Sequence, residues 1–143
     1  MTQPQRVLVT GATGYIGGRL VPLLIQDGHT VRVLVRSPEK LHDVPWHDDV
    51  EIVKGDLTDK DSVAAAMEDV QTVYFLVHSM ASGKGFAAQE QEIAHIVADA
   101  AETAGVQRIV YLGGLHPEGE LSPHMRSRTE VGRILLEGKV PAV

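Results

Sequence analysis

Three glycines, Gly11, Gly14 and Gly17, form the first group of residues whose spacing points to chemistry. They follow an apolar run that ends at Thr10, and a stretch with helical character comes directly after them. Glycine allows a tight turn, a close approach of the backbone to an anion, and close packing of a helix on a strand. The N–H groups and the dipole at a helix start attract phosphates. The pattern predicts a loop that binds the pyrophosphate of a dinucleotide; the alternative is a glycine-rich turn without a ligand.

Arg36 stands where a dinucleotide-binding chain usually carries an acid. That acid lies about 20 residues after the glycines and binds the 2′-hydroxyl of the adenosine ribose. Here no acid occurs between Gly28 and Pro38. A guanidinium can instead hold a 2′-phosphate through two parallel hydrogen bonds. Arg36 therefore predicts NADP rather than NAD as the cofactor, the alternative being a surface arginine without a role.

Two further positions follow predicted strands. Asp56, in the run Gly-Asp-Leu, either caps the next helix or contacts the amino group of adenine, and the sequence favours neither. His78 follows the fourth strand, at the end of the sheet where ligands bind in open α/β folds. A role near the nicotinamide and a histidine without a role are equally compatible with the sequence.

Short apolar runs alternate with helical stretches along the chain. Gly28 is expected to end the first helix, because glycine favours the position after a helix. Thr58 is expected to cap the next helix, over Asp61–Asp69, and Ser122 with Pro123 to begin the last, which runs to Glu137. Apolar residues three and four apart indicate a long helix over Ala87–Ala104. The predicted strands are Arg6–Thr10, Thr30–Val35, Val50–Val53, Thr72–Val77 and Arg108–Leu112.

The strands are continuously apolar, which is typical of strands buried on both faces. Alternation of such strands with helices predicts a doubly wound parallel α/β sheet, the Rossmann fold, with five strands and helices on both faces. We expect one dinucleotide-binding domain over residues 1–143. The tail Val140–Val143 is interpreted as the approach to a sixth strand that is truncated.

Composition excludes several classes of protein. The chain has a net charge of −6, contains no cysteine and has no apolar run long enough to span a membrane. A disulfide scaffold, a cysteine-ligated zinc site and a thiol nucleophile are excluded, and no metal is expected. The acidic balance argues against nucleic acid as a partner. The same features predict a cytoplasmic protein without membrane contact.

The motifs resemble those of a known superfamily. Thr-Gly-Ala-Thr-Gly-Tyr-Ile-Gly, then Val-Arg, then Gly-Asp-Leu are similar to the atypical and extended short-chain dehydrogenases/reductases. The NAD(P)H-binding NmrA-like and nucleoside-diphosphate-sugar-epimerase-like proteins are the most similar members. The resemblance implies a phosphate loop, a 2′-phosphate arginine, an adenine pair and a segment beside the ribose and nicotinamide. The implied cofactor residues are, in that order, Gly11, Thr13, Gly14, Tyr15, Ile16 and Gly17; Arg36; Asp56 and Leu57; Leu76, Val77 and His78.

The catalytic residues of the superfamily are not matched. Its dehydrogenases carry a serine after the fifth strand and Tyr-x-x-x-Lys on the next helix, whereas this chain has Gly113-Gly114, His124 and Arg128 at those places. Histidine can transfer protons near neutral pH, and arginine can bind ribose or phosphate. The alternative is that both lie in a solvated helical turn.

Three functions compete, and the third is a structural role in which the domain serves mainly for assembly. The first is the cofactor domain of an NADP-dependent oxidoreductase or epimerase-like protein that acts on an unknown small molecule. The second is a redox sensor that binds NADP(H) without catalysis. The resemblance also implies a C-terminal substrate-binding region, which we expect to be absent from residues 1–143. We also expect a homodimer, through an open sheet edge beside the fifth strand and the small apolar residues of Ala87–Ala104.

Overall fold

Five parallel strands form one sheet in the order β3-β2-β1-β4-β5. The strands are β1 (Arg6–Thr10), β2 (Thr30–Val35), β3 (Glu51–Lys54), β4 (Thr72–Phe75) and β5 (Arg108–Tyr111). The computed structural model describes residues 4–12, 15–76, 86–111, 131 and 133–142. The chain runs outward from β1 to β3 and then crosses to the other side of β1, as a doubly wound fold requires. The predicted fold is confirmed.

In the part of the chain that the structure describes, three helices connect the strands: α1 (Tyr15–Gln26), α2 (Lys60–Ala66) and α3 (Phe86–Ala104). Residues 133–137 are also helical, and two short 3₁₀ turns, Pro38–Leu41 and His47–Asp49, replace a helix between β2 and β3. None of the helices in the described part of the chain has the length and apolar character needed to cross a bilayer.

Alternate residues of the central strands bury their side chains on opposite faces. Val7 and Val9 of β1 pack with Val21 and Leu24 of α1, whereas Leu8 lies in the cluster formed with α2 and α3. All five side chains are at most 5% exposed. Burial on both faces explains why the strands are apolar without alternation.

The ends of the first two helices are set by particular residues. After α1, Gly28 has a φ of 90°, its N–H donates to Ile25 O and the N–H of His29 donates to Leu24 O. This is the glycine-terminated end that the sequence predicted. At α2 the prediction was wrong: Asp59, not Thr58, is the N-cap, and its side chain accepts from the N–H of Asp61.

The tail of the chain lies beside β5. The N–H of Ile109 donates to Pro141 O at 2.9 Å, Ala142 forms a parallel bridge with Ile109, and Val140 is 7% exposed in the core. The expectation that the apolar tail leaves this edge open is therefore wrong. Because the buried Val140 anchors the tail, the sixth strand position is already occupied at its beginning.

Candidate functional site

The strand register brings the predicted site residues to one edge of the sheet. Thr10 is level with Leu34 on one side and with Phe75 on the other, and Val35 is level with Lys54. The residues that follow each of these strands therefore emerge at the same carboxyl edge, where open parallel sheets bind ligands. Gly11, Arg36, Gly55 and Leu76 are the first residues beyond the four strand ends.

The close approach of α1 to the preceding loop depends on Gly17. A Cβ placed on Gly17 would lie 2.2 Å from the carbonyl oxygen of Gly11 and 2.8 Å from the Cα of Ala12. These are backbone atoms, which cannot rotate away. Gly11 itself has a φ of 85°, a value that favours glycine. The two glycines therefore allow the beginning of α1 to pack directly on the backbone of Gly11 and Ala12, at the carboxyl end of β1.

Thr10 is a site residue that the sequence reasoning did not single out. Its side chain is fully buried, its hydroxyl donates to the carbonyl oxygen of Tyr74 at 3.3 Å, and its Oγ1 accepts from the N–H of Leu76 at 3.4 Å. The hydroxyl thereby joins the start of the glycine loop to the chain that leaves β4. A polar residue at the end of an otherwise apolar strand was the available signal.

Arg36 and Asp56 lie close enough to interact electrostatically. The backbone N–H of Thr58 and its hydroxyl both donate to Asp56 Oδ1, at 2.9 and 2.8 Å. These bonds, with a smaller contribution from the positive charge of Arg36, lower the pKa of Asp56 against the opposing effect of partial burial. Asp56 therefore does not cap α2. It is held as a carboxylate at the carboxyl edge, which leaves the adenine interpretation open.

The remaining predicted residues fall into two groups. Ile16 is 47% exposed at the start of α1, whereas Leu57 and Leu76 are half-buried, each against a different core cluster. Tyr15 is the first residue of α1. The others lie outside the described residues: Thr13, Gly14, Val77, His78, Gly113, Gly114, His124 and Arg128.

The sequence model of the NAD(P)H-binding family matches residues 11–139 of the chain. The chain belongs to this family. The match begins at the first glycine of the loop and includes all four cofactor segments implied by the resemblance. The cofactor of this NAD(P)H-binding domain is thereby identified as a nicotinamide dinucleotide.

The relatives agree with the resemblance to short-chain dehydrogenases/reductases and epimerases. A 3 beta-hydroxysteroid dehydrogenase/Delta 5-->4-isomerase of Mycobacterium tuberculosis is 35% identical over 121 residues, which are 77% of this chain and 32% of that protein. A UDP-glucose 4-epimerase of Mycolicibacterium smegmatis is 35% identical over 117 residues, 74% of this chain and 37% of that protein. The chain thus spans about a third of the length of these relatives.

Solved structures show the same fold. The Citrobacter sp. triphenylmethane reductase complexed with NADP(H) superposes with a TM-score of 0.77 at 24% identity. The superposition covers 96% of this chain and 47% of that one. At this identity the likeness concerns the fold.

The described residues fit a dinucleotide. Because a Cβ at Gly17 would fill the space against Gly11, the turn has the close backbone packing that a pyrophosphate loop requires. Arg36 is exposed and makes no hydrogen bond or ion pair with any residue of the described part. Gly17 and Arg36 are thus the described residues that would hold a dinucleotide at this edge, the first by admitting the helix close to the loop and the second through its guanidinium.

Proposed function

We propose that this NAD(P)H-binding domain uses NADP(H) and is the cofactor domain of an oxidoreductase of the short-chain dehydrogenase/reductase type. The choice of NADP(H) over NAD(H) rests on Arg36. Its exposed guanidinium follows the carboxyl end of β2, where an acid would select NAD. A 2′-phosphate carries about two negative charges near neutral pH. Arg36 can meet two of its oxygens with a planar pair of donors.

The surroundings of Arg36 set the expected size of the preference. Asp56 lies near enough to lower the local positive potential, yet within the described residues it forms no ion pair with Arg36. Two charge-assisted hydrogen bonds contribute roughly 1.5–3 kcal/mol each in favourable settings. Solvent screening at this exposed position reduces their effect. We therefore expect a preference for NADP(H) of about 10–100-fold, at 1.4 kcal/mol for each factor of ten.

Calorimetric titration of NADPH and NADH against wild type and Arg36→Ala tests the proposal. The variant is expected to lose most of the NADPH affinity and to keep the NADH affinity. Arg108→Ala removes the same charge from the opposite end of the sheet, at the start of β5, and serves as the control. Equal wild-type affinities, or an equal loss for both cofactors in Arg36→Ala, would contradict the choice of NADP(H).

We also propose that the longer protein is catalytic. If hydride transfer requires a proton donor, His124 has the position of the family tyrosine and Arg128 that of the lysine. The substrate-binding contacts are proposed to come from a region that the longer relatives carry beyond the match. In a protein that includes that region, His124→Ala should lower turnover by about 10²–10⁴-fold and leave NADPH affinity unchanged. Equal turnover would favour the alternative, a redox sensor without catalysis.

We also propose a homodimer, and the outer side of α1 supports it. Ile16 and Leu23 are 47% and 59% exposed, and the half-buried Leu20 lies between them at helical spacing. Side chains four and three residues apart lie on one side of a helix. An apolar stripe of this kind can pack against the same stripe of a second copy around a twofold axis.

The edge beside β5 and the surface of α3, which the sequence predicted as dimer contacts, are less suitable for self-association. The tail already lies beside β5, and the exposed side of α3 carries Glu92, Asp99 and Glu102. Two identical acidic surfaces repel each other, and the chain has a net charge of −6.

Light scattering at micromolar concentrations tests the dimer. Leu23→Glu should give a monomer. Leu136→Glu changes a residue that is 66% exposed on the helical segment 133–137, and it should leave the dimer intact. A monomeric wild type, or a dimer that persists in Leu23→Glu, would refute the proposed surface.

We propose a cytoplasmic location for the protein. The absence of cysteine from the sequence is compatible with a reducing compartment. Cell fractionation with an antibody against the chain measures the location of the protein. Recovery in a membrane or exported fraction would contradict a cytoplasmic location.

A further inference from the structure

We propose that Thr58 is a positioning residue that orients the carboxylate of Asp56 and thereby makes the site selective for an adenine base. This inference rests on the proposed function, because it assumes that Asp56 faces the base of a bound dinucleotide. It goes beyond that function by assigning base selectivity to the contact between two residues of this chain. The sequence interpretation gave Thr58 a different role, as a helix cap.

The first step is the geometry of the carboxylate. Thr58 donates to Asp56 Oδ1 twice, from its backbone N–H at 2.9 Å and from its hydroxyl at 2.8 Å. The N–H of Asp59 donates to the backbone carbonyl oxygen of Asp56 at 3.0 Å and closes the same turn. Two donors on one oxygen fix the rotation of the carboxylate, and they leave Oδ2 as the acceptor for a ligand.

The second step concerns charge. An ionised carboxylate only accepts hydrogen bonds, whereas a protonated one also donates. The donors of Thr58 hold the pKa of Asp56 below its usual value, and Arg36 acts in the same direction. Asp56 is therefore an acceptor throughout the neutral range. It can accept from the 6-amino group of adenine and repels the 6-carbonyl oxygen of hypoxanthine.

The third step separates Thr58 from α2. The helix is capped by Asp59, whose Oδ1 accepts from the N–H of Asp61 and whose Oδ2 accepts from the hydroxyl of Ser62 at 3.0 Å. The hydroxyl of Thr58 takes no part in this cap. Its bond to Asp56 therefore acts on the edge of the sheet where the base is expected, and removing it leaves the start of α2 in place.

The experiment compares NADPH with its hypoxanthine analogue, nicotinamide hypoxanthine dinucleotide phosphate. The dissociation constants of both are measured by calorimetry for wild type, Thr58→Val, Thr58→Ser and Ser62→Ala. Thr58→Val keeps the shape of the side chain and the backbone N–H but lacks the hydroxyl. Ser62→Ala is the matched control, because it removes a hydroxyl bond to the neighbouring carboxylate of Asp59.

Wild type should prefer the adenine dinucleotide, and Thr58→Val should reduce the ratio of the two dissociation constants by about threefold to tenfold. Thr58→Ser should restore the ratio, and Ser62→Ala should leave it unchanged. The ratio does not depend on the folded fraction, so a loss of stability alone would not move it. In Thr58→Val the pKa of Asp56 should also rise, so its preference for adenine should be lost at a higher pH than in wild type.

The contrary outcomes are distinct. An unchanged ratio in Thr58→Val, or the same reduction in Ser62→Ala, would overturn the role of Thr58 while NADPH binding stands. A wild type that binds both dinucleotides equally would show that Asp56 does not contact the base and would overturn the inference as well. Failure of wild type to bind NADPH at all would overturn the proposed function together with it.

Discussion

Replacing Gly17 by alanine tests the cofactor loop most directly, because its neighbour Gly18 provides a matched control. The two glycines are adjacent in α1, yet their surroundings differ. A Cβ on Gly17 would lie 2.2 Å from Gly11 O, whereas the nearest atom to a Cβ on Gly18 is Ala12 O at 3.8 Å. The first distance is far inside van der Waals contact and the second is ordinary contact.

The magnitude follows from two opposing effects. In a helix, alanine is favoured over glycine by about 0.8–1 kcal/mol. Overpacking costs about 1–3 kcal/mol and more where the neighbours cannot yield. At Gly17 the contacted atoms are backbone atoms of the loop, so the overlap exceeds the gain in helix propensity. Gly17→Ala should lower the free energy of unfolding by about 1–3 kcal/mol, and Gly18→Ala should raise it by up to about 1 kcal/mol.

The displacement should also weaken cofactor binding. To admit the methyl group, α1 must move away from Gly11 by about an ångström. This movement displaces the first N–H groups of α1, which we expect to bind the phosphates of the cofactor. Loss of one charge-assisted hydrogen bond, roughly 1.5–3 kcal/mol, corresponds to about a 10–100-fold loss of NADPH affinity. Gly18→Ala should bind NADPH as wild type does.

Urea denaturation of wild type, Gly17→Ala and Gly18→Ala measures the change in stability, and calorimetric titration of the same proteins measures the change in NADPH affinity. At this chain length the stability loss corresponds to a melting temperature lowered by about 2–10 °C. If Gly17→Ala were as stable as Gly18→Ala and bound NADPH equally well, the close approach of α1 to the loop would not be required. A destabilised Gly17→Ala with unchanged affinity would show that the turn does not hold the phosphates.

Three further predictions concern buried and charged contacts. Thr10→Val should destabilise the fold by about 1 kcal/mol, because the N–H of Leu76 loses its acceptor, and thermal unfolding measures this. Arg32→Met should lower the free energy of unfolding by about 1–3 kcal/mol, because the guanidinium donates to the carbonyl oxygens of Ala66, the last residue of α2, and of Glu68, each at 2.8 Å. Asp56 has a lowered pKa in the folded state, so its charge stabilises the fold above about pH 4 and loses this effect as the pH falls through the folded value. The stability difference between wild type and Asp56→Asn should therefore be present at pH 7 and shrink below pH 4, by denaturation at each pH.

The sequence predicted the elements well where a local signal was strong. β1 and β2 have the predicted bounds, and Gly28 ends α1 with a positive φ. The cap of α2 was misassigned, because Asp56, Thr58 and Asp59 are all residue types that can cap a helix. The choice between them depends on which side chain the fold turns toward Asp61 N, and composition carries no information about that.

The sequence by itself determined the fold class and the cofactor. Continuous apolar strands are typical of burial on both faces, and three glycines after a strand and at the start of a helix predict a phosphate loop. Only the tertiary structure decided how distant residues meet. Arg36 and Asp56 are 20 residues apart in sequence, and the pairing of β2 with β3 brings them together. The position of the tail was decided in the same way, because the bridge from Ala142 to Ile109 depends on a backbone hydrogen bond, which no side-chain pattern encodes.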